Sequence, residues 1–114
     1  MINPEIFEEV SMQIILFAGD ARNFAQNALD AAMQEDYAQA EKYLIEAQEN
    51  ITAAHLAQTD MIQKSLSEDK LELPNLLFIH AQDTLMTIMS ELNFAHSMVK
   101  MHKQLTNKIN EERK

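Results

Sequence analysis

The sequence predicts an all-α protein, three long antiparallel helices running up-down-up, and three observations carry that expectation. Its 114 residues hold one glycine and two prolines, so few positions interrupt a helix. Ala, Gln, Glu, Leu and Met, all good helix formers, are abundant. Apolar residues return every three or four positions through three stretches, which is helical spacing. The length fits one domain over residues 1–114. A single helical layer cannot cover its own apolar stripe, so the helices must pair within the chain or between chains.

The first helix is expected over about residues 4–34. Asn3 is a good N-cap, and Pro4 suits the first helical position. Ile6, Val10, Ile14, Phe17, Ala21, Phe24, Ala28 and Leu29 mark its apolar face. The pattern fades at Gln34–Glu35. Asp36 can then cap a second helix over about 36–66, where early carboxylates meet the positive end of the dipole. That helix carries Ala40, Leu44, Ala47, Ile51, Ala54, Met61 and Ile62, and its many small residues allow a neighbour to approach closely. The charged, proline-containing stretch 67–75, "SEDKLELPN", reads as the one substantial loop.

The third helix is expected over about 74–111. Leu85, Ile88, Leu92, Ala95 and Val99 step by three and four, as in a heptad seam. A second stripe, semi-polar, runs beside it: Ile79, Asp83, Met86, Ser90, Asn93 and Ser97. Two seams on one helix suggest that one packs inside the subunit and the other meets a copy of itself. Helices of roughly 30 residues span about 45 Å each, so the bundle is long and its core thin.

Charge narrows the function. The formal net charge of −9 opposes binding to nucleic acid, which needs clustered Lys and Arg, and opposes an anionic membrane surface. It favours a basic protein partner. Residues 1–72 hold 14 Asp and Glu against 4 Lys and Arg, which for the most part describes a solvated face on the first two helices. Without cysteine there is no disulfide, no thiol nucleophile and no thiolate-bound metal. The N-terminus has no basic region of a signal peptide, and no stretch approaches eighteen uninterrupted apolar residues. A cytoplasmic protein without membrane insertion is expected.

Four histidines are the candidate chemical groups. His102, near a frayed end, reads as solvent-exposed, His96 as a surface or packing residue, and His55 as a satisfied, half-buried one. Thr52, Leu77, Asn93 and Val99 stand three before the histidines, so no Glu-x-x-His pair of a dinuclear metal bundle exists. Thr84 stands four after His80, so no His-x-x-x-His pair exists either. One glycine cannot build a phosphate loop. What remains is "FIHAQDTLM", residues 78–86, which sets His80, Gln82, Asp83 and Thr84 on a helix. A neutral imidazole is a competent nucleophile toward phosphorus, and apolar neighbours such as Leu76, Leu77 and Ile79 favour its neutral form. The alternative is bland: His80 and Asp83, three apart on one face, satisfy each other inside a non-catalytic helical adaptor or oligomerisation protein.

Larger stretches bear on that choice. "HAQDTLM" at 80–86, "AGDAR" at 18–22, "AHLAQTDMIQK" at 54–64 and "DYAQAEKYLIEAQE" at 36–49 occur together. In order and spacing, from about Glu9 to Leu105, they resemble the lactose/cellobiose-type enzyme IIA of the bacterial phosphoenolpyruvate-dependent sugar phosphotransferase system. The resemblance implies a homotrimer of three-helix subunits and a phosphocarrier. His80 would accept the phosphoryl group from phospho-HPr, as a tele-phosphohistidine, and pass it to a cysteine of the cognate enzyme IIB. A disaccharide of the lactose, cellobiose or chitobiose class would thereby be phosphorylated on uptake. The resemblance also implies that Gln82 supports His80. Asp83 would meet its two copies on the threefold axis around one divalent cation per trimer, magnesium by expectation. Many relatives carry a second histidine where this chain has Thr84, so any help that residue gives must come here from the Thr84 hydroxyl or another side chain.

Overall fold

The computed structural model describes residues 4–67 and 75–113 as three helices: α1 (Pro4–Met33), α2 (Tyr37–Ser67) and α3 (Leu76–Glu112). The expected ends agree with these to within two residues. The Asn3 cap, Pro74 and most of the 67–75 loop lie outside the described residues. At the start of α3 it is Asn75 that caps, its Oδ1 accepting from the Phe78 amide at 2.8 Å.

The tight turn between α1 and α2 is built from two caps sharing one residue. Glu35 adopts φ 61°, the left-handed conformation, while its amide donates to Ala32 and the Asp36 amide donates to Ala31. These are the two bonds of a Schellman C-cap. Asp36 then caps α2, with Oδ1 accepting from the Gln39 amide at 3.1 Å, as its type and place predict. A left-handed glutamate is strained by its Cβ. Glu35→Gly should therefore raise stability by roughly 0.5–1 kcal/mol, the relief being partly offset by the freedom of glycine in the unfolded chain. A urea titration measures it.

The core forms where the heptad pattern is strictest. On α1 it is Phe7, Ser11, Ile14, Ala18, Ala21, Ala25, Ala28 and Ala32, a 4-3 alternation without a break. On α2 it is Ala40, Leu44, Ala47, Ile51, Ala54 and Met61. Facing alanines let α1 and α2 pack closely, and the larger Leu85, Ile88, Leu92 and Val99 of α3 fill the third side, chiefly along α1. The expected seam of α3 is all buried, extended by Phe78 and Ala81. The expected face of α1 needs correction: Ile6 and Phe17 are exposed, and Phe7 and Ala18 beside them take the buried line. Where helices meet on alanine, bulky residues are pushed to the flanks. Buried Ser11 is satisfied by donating to the Phe7 carbonyl within its own helix.

Side-chain pins set the register. Phe7 meets Phe78 edge-on, ring centroids 5.6 Å apart, and Arg22 grips Glu91 with bonds of 2.7–2.9 Å. α1 and α3 therefore run parallel, with α2 antiparallel to both. Tyr37, the first residue of α2, holds the far end of α3, its hydroxyl 2.7 Å from His102 Nδ1 and 2.9 Å from Thr106 Oγ1. The bundle measures 69 × 18 × 17 Å.

Gly19, the one glycine in the sequence, stands inside α1. A Cβ added there would meet nothing within 4 Å. Gly19→Ala should then stabilise the isolated subunit by about 0.8–1 kcal/mol, the ordinary helix-propensity difference, read as a rise in melting temperature at low protein concentration.

Candidate functional site

His80 sits in the second turn of α3, and its ring is exposed. The N-terminal amides of a helix lack intrahelical acceptors, and the helix dipole adds positive potential there. Side chains on a helix lean toward its N-terminus. Negative charge added to the His80 ring would thus lie near the favourable end of α3. Leu76, one turn earlier, is 82% exposed. The apolar shelter expected around the imidazole is therefore not closed by a single subunit.

The other members of the motif fall on different sides of the helix. Gln82 is half-buried and Asp83 is exposed. Thr84, half-buried, donates its hydroxyl to the His80 carbonyl at 2.9 Å, which occupies that hydroxyl within the helix. No hydrogen bond or ion pair joins His80 to Asp83 among the described residues, so the two are not a mutually satisfied buried pair. The semi-polar stripe is uncovered along its length, with Asp83, Met86, Ser90, Asn93 and Ser97 all exposed.

Two of the remaining histidines depart from expectation. His55 is exposed instead of half-buried, because it lies on the outer side of α2 beside the buried Ala54. His102 is half-buried instead of exposed, because Tyr37 reaches across to it. His96 is exposed, one of the two places expected for it. The Tyr37–His102–Thr106 cluster and the Arg22–Glu91 pair escape sequence reasoning, since neither partner choice is encoded by local spacing.

Among the described residues, no three His, Asp or Glu side chains converge as metal ligands. Asp83 alone offers one carboxylate, whereas hard divalent cations take six or more oxygens. The same end of the bundle is acidic. The Phe7–Phe78 contact sets the start of α1 beside the start of α3, and Glu5, Glu8 and Glu9 line a shallow groove there with Met12 and Gln13. Among the described residues, no helix is long and apolar enough to cross a membrane.

Comparison with known proteins agrees with this arrangement. Residues 9–103 match the family profile described as the PTS system, lactose/cellobiose-specific IIA subunit. The lichenan-specific phosphotransferase enzyme IIA component of Bacillus subtilis (strain 168) is 36% identical over 102 residues, covering 90% of this chain and 92% of that protein. The N,N'-diacetylchitobiose-specific EIIA component of Escherichia coli (strain K12) is also 36% identical, with 89% and 86% covered. Among solved structures, the cellobiose-specific enzyme IIA from Bacillus anthracis superposes with a TM-score of 0.82 at 36% identity, over 95% of this chain and 96% of that one. The IIA(chitobiose) of a complex with HPr from Escherichia coli superposes with a TM-score of 0.78 at 34% identity, covering 88% and 96%. With its three-helix bundle and a match over most of its length, the chain belongs to the lactose/cellobiose family of IIA subunits, the phosphotransferase carriers of the PTS.

Proposed function

We propose that His80 is the phosphoryl carrier of this IIA subunit. The reading rests on family membership together with one observation: His80 is exposed beside the positive end of α3, with no hydrogen bond or ion pair to its ring among the described residues. His80 Nε2 attacks the phosphorus of phospho-HPr; the N–P bond forms as the donor's bond to phosphorus breaks and the donor takes back the electron pair. A cysteine thiolate of enzyme IIB then attacks the same phosphorus, forming S–P and returning the imidazole lone pair. The transfer needs little from the protein beyond in-line positioning and exclusion of water, and both are functions of docking. HPr as donor is supported by the solved complex of the chitobiose relative with HPr. Enzyme IIB as acceptor, a cytoplasmic setting and a disaccharide of the lactose, cellobiose or chitobiose class follow from the family. Gln82 would support His80, and Asp83 from each subunit of a homotrimer would supply carboxylate oxygens to one divalent cation, magnesium by expectation, which would offset their negative charge.

The test is incubation with phosphoenolpyruvate, enzyme I and HPr, followed by intact mass. One phosphoryl group per chain, labile to acid, is the expected product. An unmodified mass beside a phosphorylated positive control would leave a non-catalytic helical adaptor as the better reading.

The acidic groove at Glu8 and Glu9 supports docking of a basic donor, since complementary charge speeds encounter. The on-rate for HPr should fall as salt rises, because the Debye length contracts from about 10 Å at 0.1 M to about 3 Å at 1 M. Stopped-flow association measures it, and a rate flat across that range would remove charge steering from the account.

A further inference from the structure

We propose that the Gln58 side-chain oxygen accepts a hydrogen bond from the side-chain amide of Gln82, and that this tie between α2 and α3 steadies the helical turn that carries His80. Gln58 is thereby a positioning residue. The proposal rests on the reading above only in naming His80 as the carrier.

Gln58 stands where an apolar residue is expected. Ala40, Leu44, Ala47, Ile51, Ala54 and Met61 line the buried face of α2, and Gln58 fills the gap in their alternation of four and three. The residue is half-buried, but its Oε1 is fully buried and has no hydrogen-bond partner. A buried carbonyl that has given up water needs a donor, and native cores rarely leave one without.

Level and face identify the donor. Tyr37 touches His102 and Thr106, and α2 runs antiparallel to α3. Gln58 is twenty-one residues beyond Tyr37, and the same count back from His102 and Thr106 reaches Ala81 and Leu85. Gln82 lies within that span. The faces agree. Gln82, Met89 and His96 follow one line of α3 at seven-residue steps, and His96 shares a groove with Tyr37, Glu41 and Leu44 of α2. His80 lies on the other flank, on the line of Thr84 and Glu91, and Glu91 reaches Arg22 on α1. Residues two apart on a helix do not face each other, so Gln82 turns to α2 and away from the ring of its own His80. Ser11 is the competing donor at this level, four residues past Phe7 as Gln82 is four past Phe78, but its one proton goes to the Phe7 carbonyl. Gln82 makes no side-chain hydrogen bond among the described residues, so its N–H groups are uncommitted. Rotation about its side-chain torsions points one of them at Gln58.

The tie bears on the site because little else holds this turn to α2. In the first two turns of α3 only Phe78 and Ala81 are buried; Phe78 is engaged by Phe7 of α1, and Ala81 offers a single methyl. The bond joins "AHLAQTDMIQK" to "HAQDTLM".

The experiment compares wild type, Gln58→Leu, Gln82→Leu and the double variant. NMR reads exchange of the Gln82 side-chain amide with water, urea denaturation reads stability, and single-turnover kinetics read uptake from phospho-HPr. The Gln82 amide should be protected in wild type and lose protection in Gln58→Leu. Each single variant should lower the limiting rate of uptake by roughly tenfold, short of the ~100-fold that a 1 Å misplacement costs. The half-saturating concentration of phospho-HPr should not change, and the double variant should be no slower than either single one. Gln58→Leu should keep or gain stability, because leucine suits a core position, so slow transfer with a firm fold separates positioning from folding. A Gln82 amide that exchanges freely in wild type would overturn the proposal, as would losses that multiply in the double variant. Uptake lost in Gln82→Leu with Gln58→Leu like wild type would give Gln82 a place at the phosphoryl group and overturn it as well. Wild type that accepts no phosphoryl group would refute the carrier reading, while protection lost in Gln58→Leu would still uphold the bond.

Discussion

His80→Ala should accept no measurable phosphoryl group from phospho-HPr, with helicity and self-association unchanged. The expectation is large because the substitution removes the only atom that forms the new bond, and no neighbouring side chain can take its place at phosphorus. It is clean because the ring is exposed and packs into no core, so the fold has little to lose. The other histidines are graded controls. His55→Ala and His96→Ala alter exposed rings on α2 and α3 and should leave both uptake and stability near wild type. His102→Ala should also leave uptake near normal, but it removes the hydrogen-bond partner facing the Tyr37 hydroxyl at 2.7 Å. That costs about 0.5–1.5 kcal/mol of stability, with Thr106 still available to Tyr37. A stability defect without a transfer defect at His102, and the reverse at His80, would separate structural from chemical histidine in one set of proteins. Intact mass and acid lability read the first quantity, urea denaturation the second. Acid-labile phosphate on the His80→Ala protein would overturn the assignment.

What was legible in the sequence was what depends on local pattern. The three helices followed from propensity and apolar spacing, and the Asp36 cap from residue type and place. The seam from Leu85 to Val99 was legible because large aliphatics at heptad spacing have one sensible destination. The face of α1 was misread where size misleads. Ile6 and Phe17 look like core by hydropathy, yet Phe7 takes the buried place beside Ile6, and where alanine lines the contact with α2 close helix approach leaves Phe17 outside. His102 was misread for a related reason: its environment is made by Tyr37, sixty-five residues away in sequence, and no window of local spacing contains both. For the site, "HAQDTLM" was legible as helix and offered His80 as the candidate, and the fold puts His80 on the surface near the positive end of α3. The neighbourhood of His80 was less legible: the apolar shelter expected there is not closed, with Leu76, Asp83 and Met86 all exposed in the subunit.

Asp83→Leu should hold the trimer together without metal, whereas wild type should depend on a divalent cation. Asp83 is exposed on α3, on the stripe that carries Met86 and Ser90 and that no other helix of the subunit covers. If three α3 helices meet along this stripe, three carboxylates converge in partly apolar surroundings. Like charges at short range in a medium less polarisable than water repel strongly, and desolvation adds to the cost. A hard cation would relieve this by adding positive charge and accepting oxygen ligands, which three carboxylates and waters can supply. Metal that binds only the assembled state stabilises it by mass action, so removing the metal loosens the trimer. Leucine at the same place removes the repulsion and adds apolar contact, so assembly no longer responds to chelator. Asp83→Lys puts three positive charges at one point and should weaken assembly with or without metal. Sedimentation of the three proteins, each with chelator and with added magnesium, reads these outcomes directly. Phosphoryl uptake at His80 should persist in the leucine protein, because the backbone of α3 still carries the imidazole. A leucine protein that dissociates while wild type remains trimeric in chelator would take Asp83 off the axis.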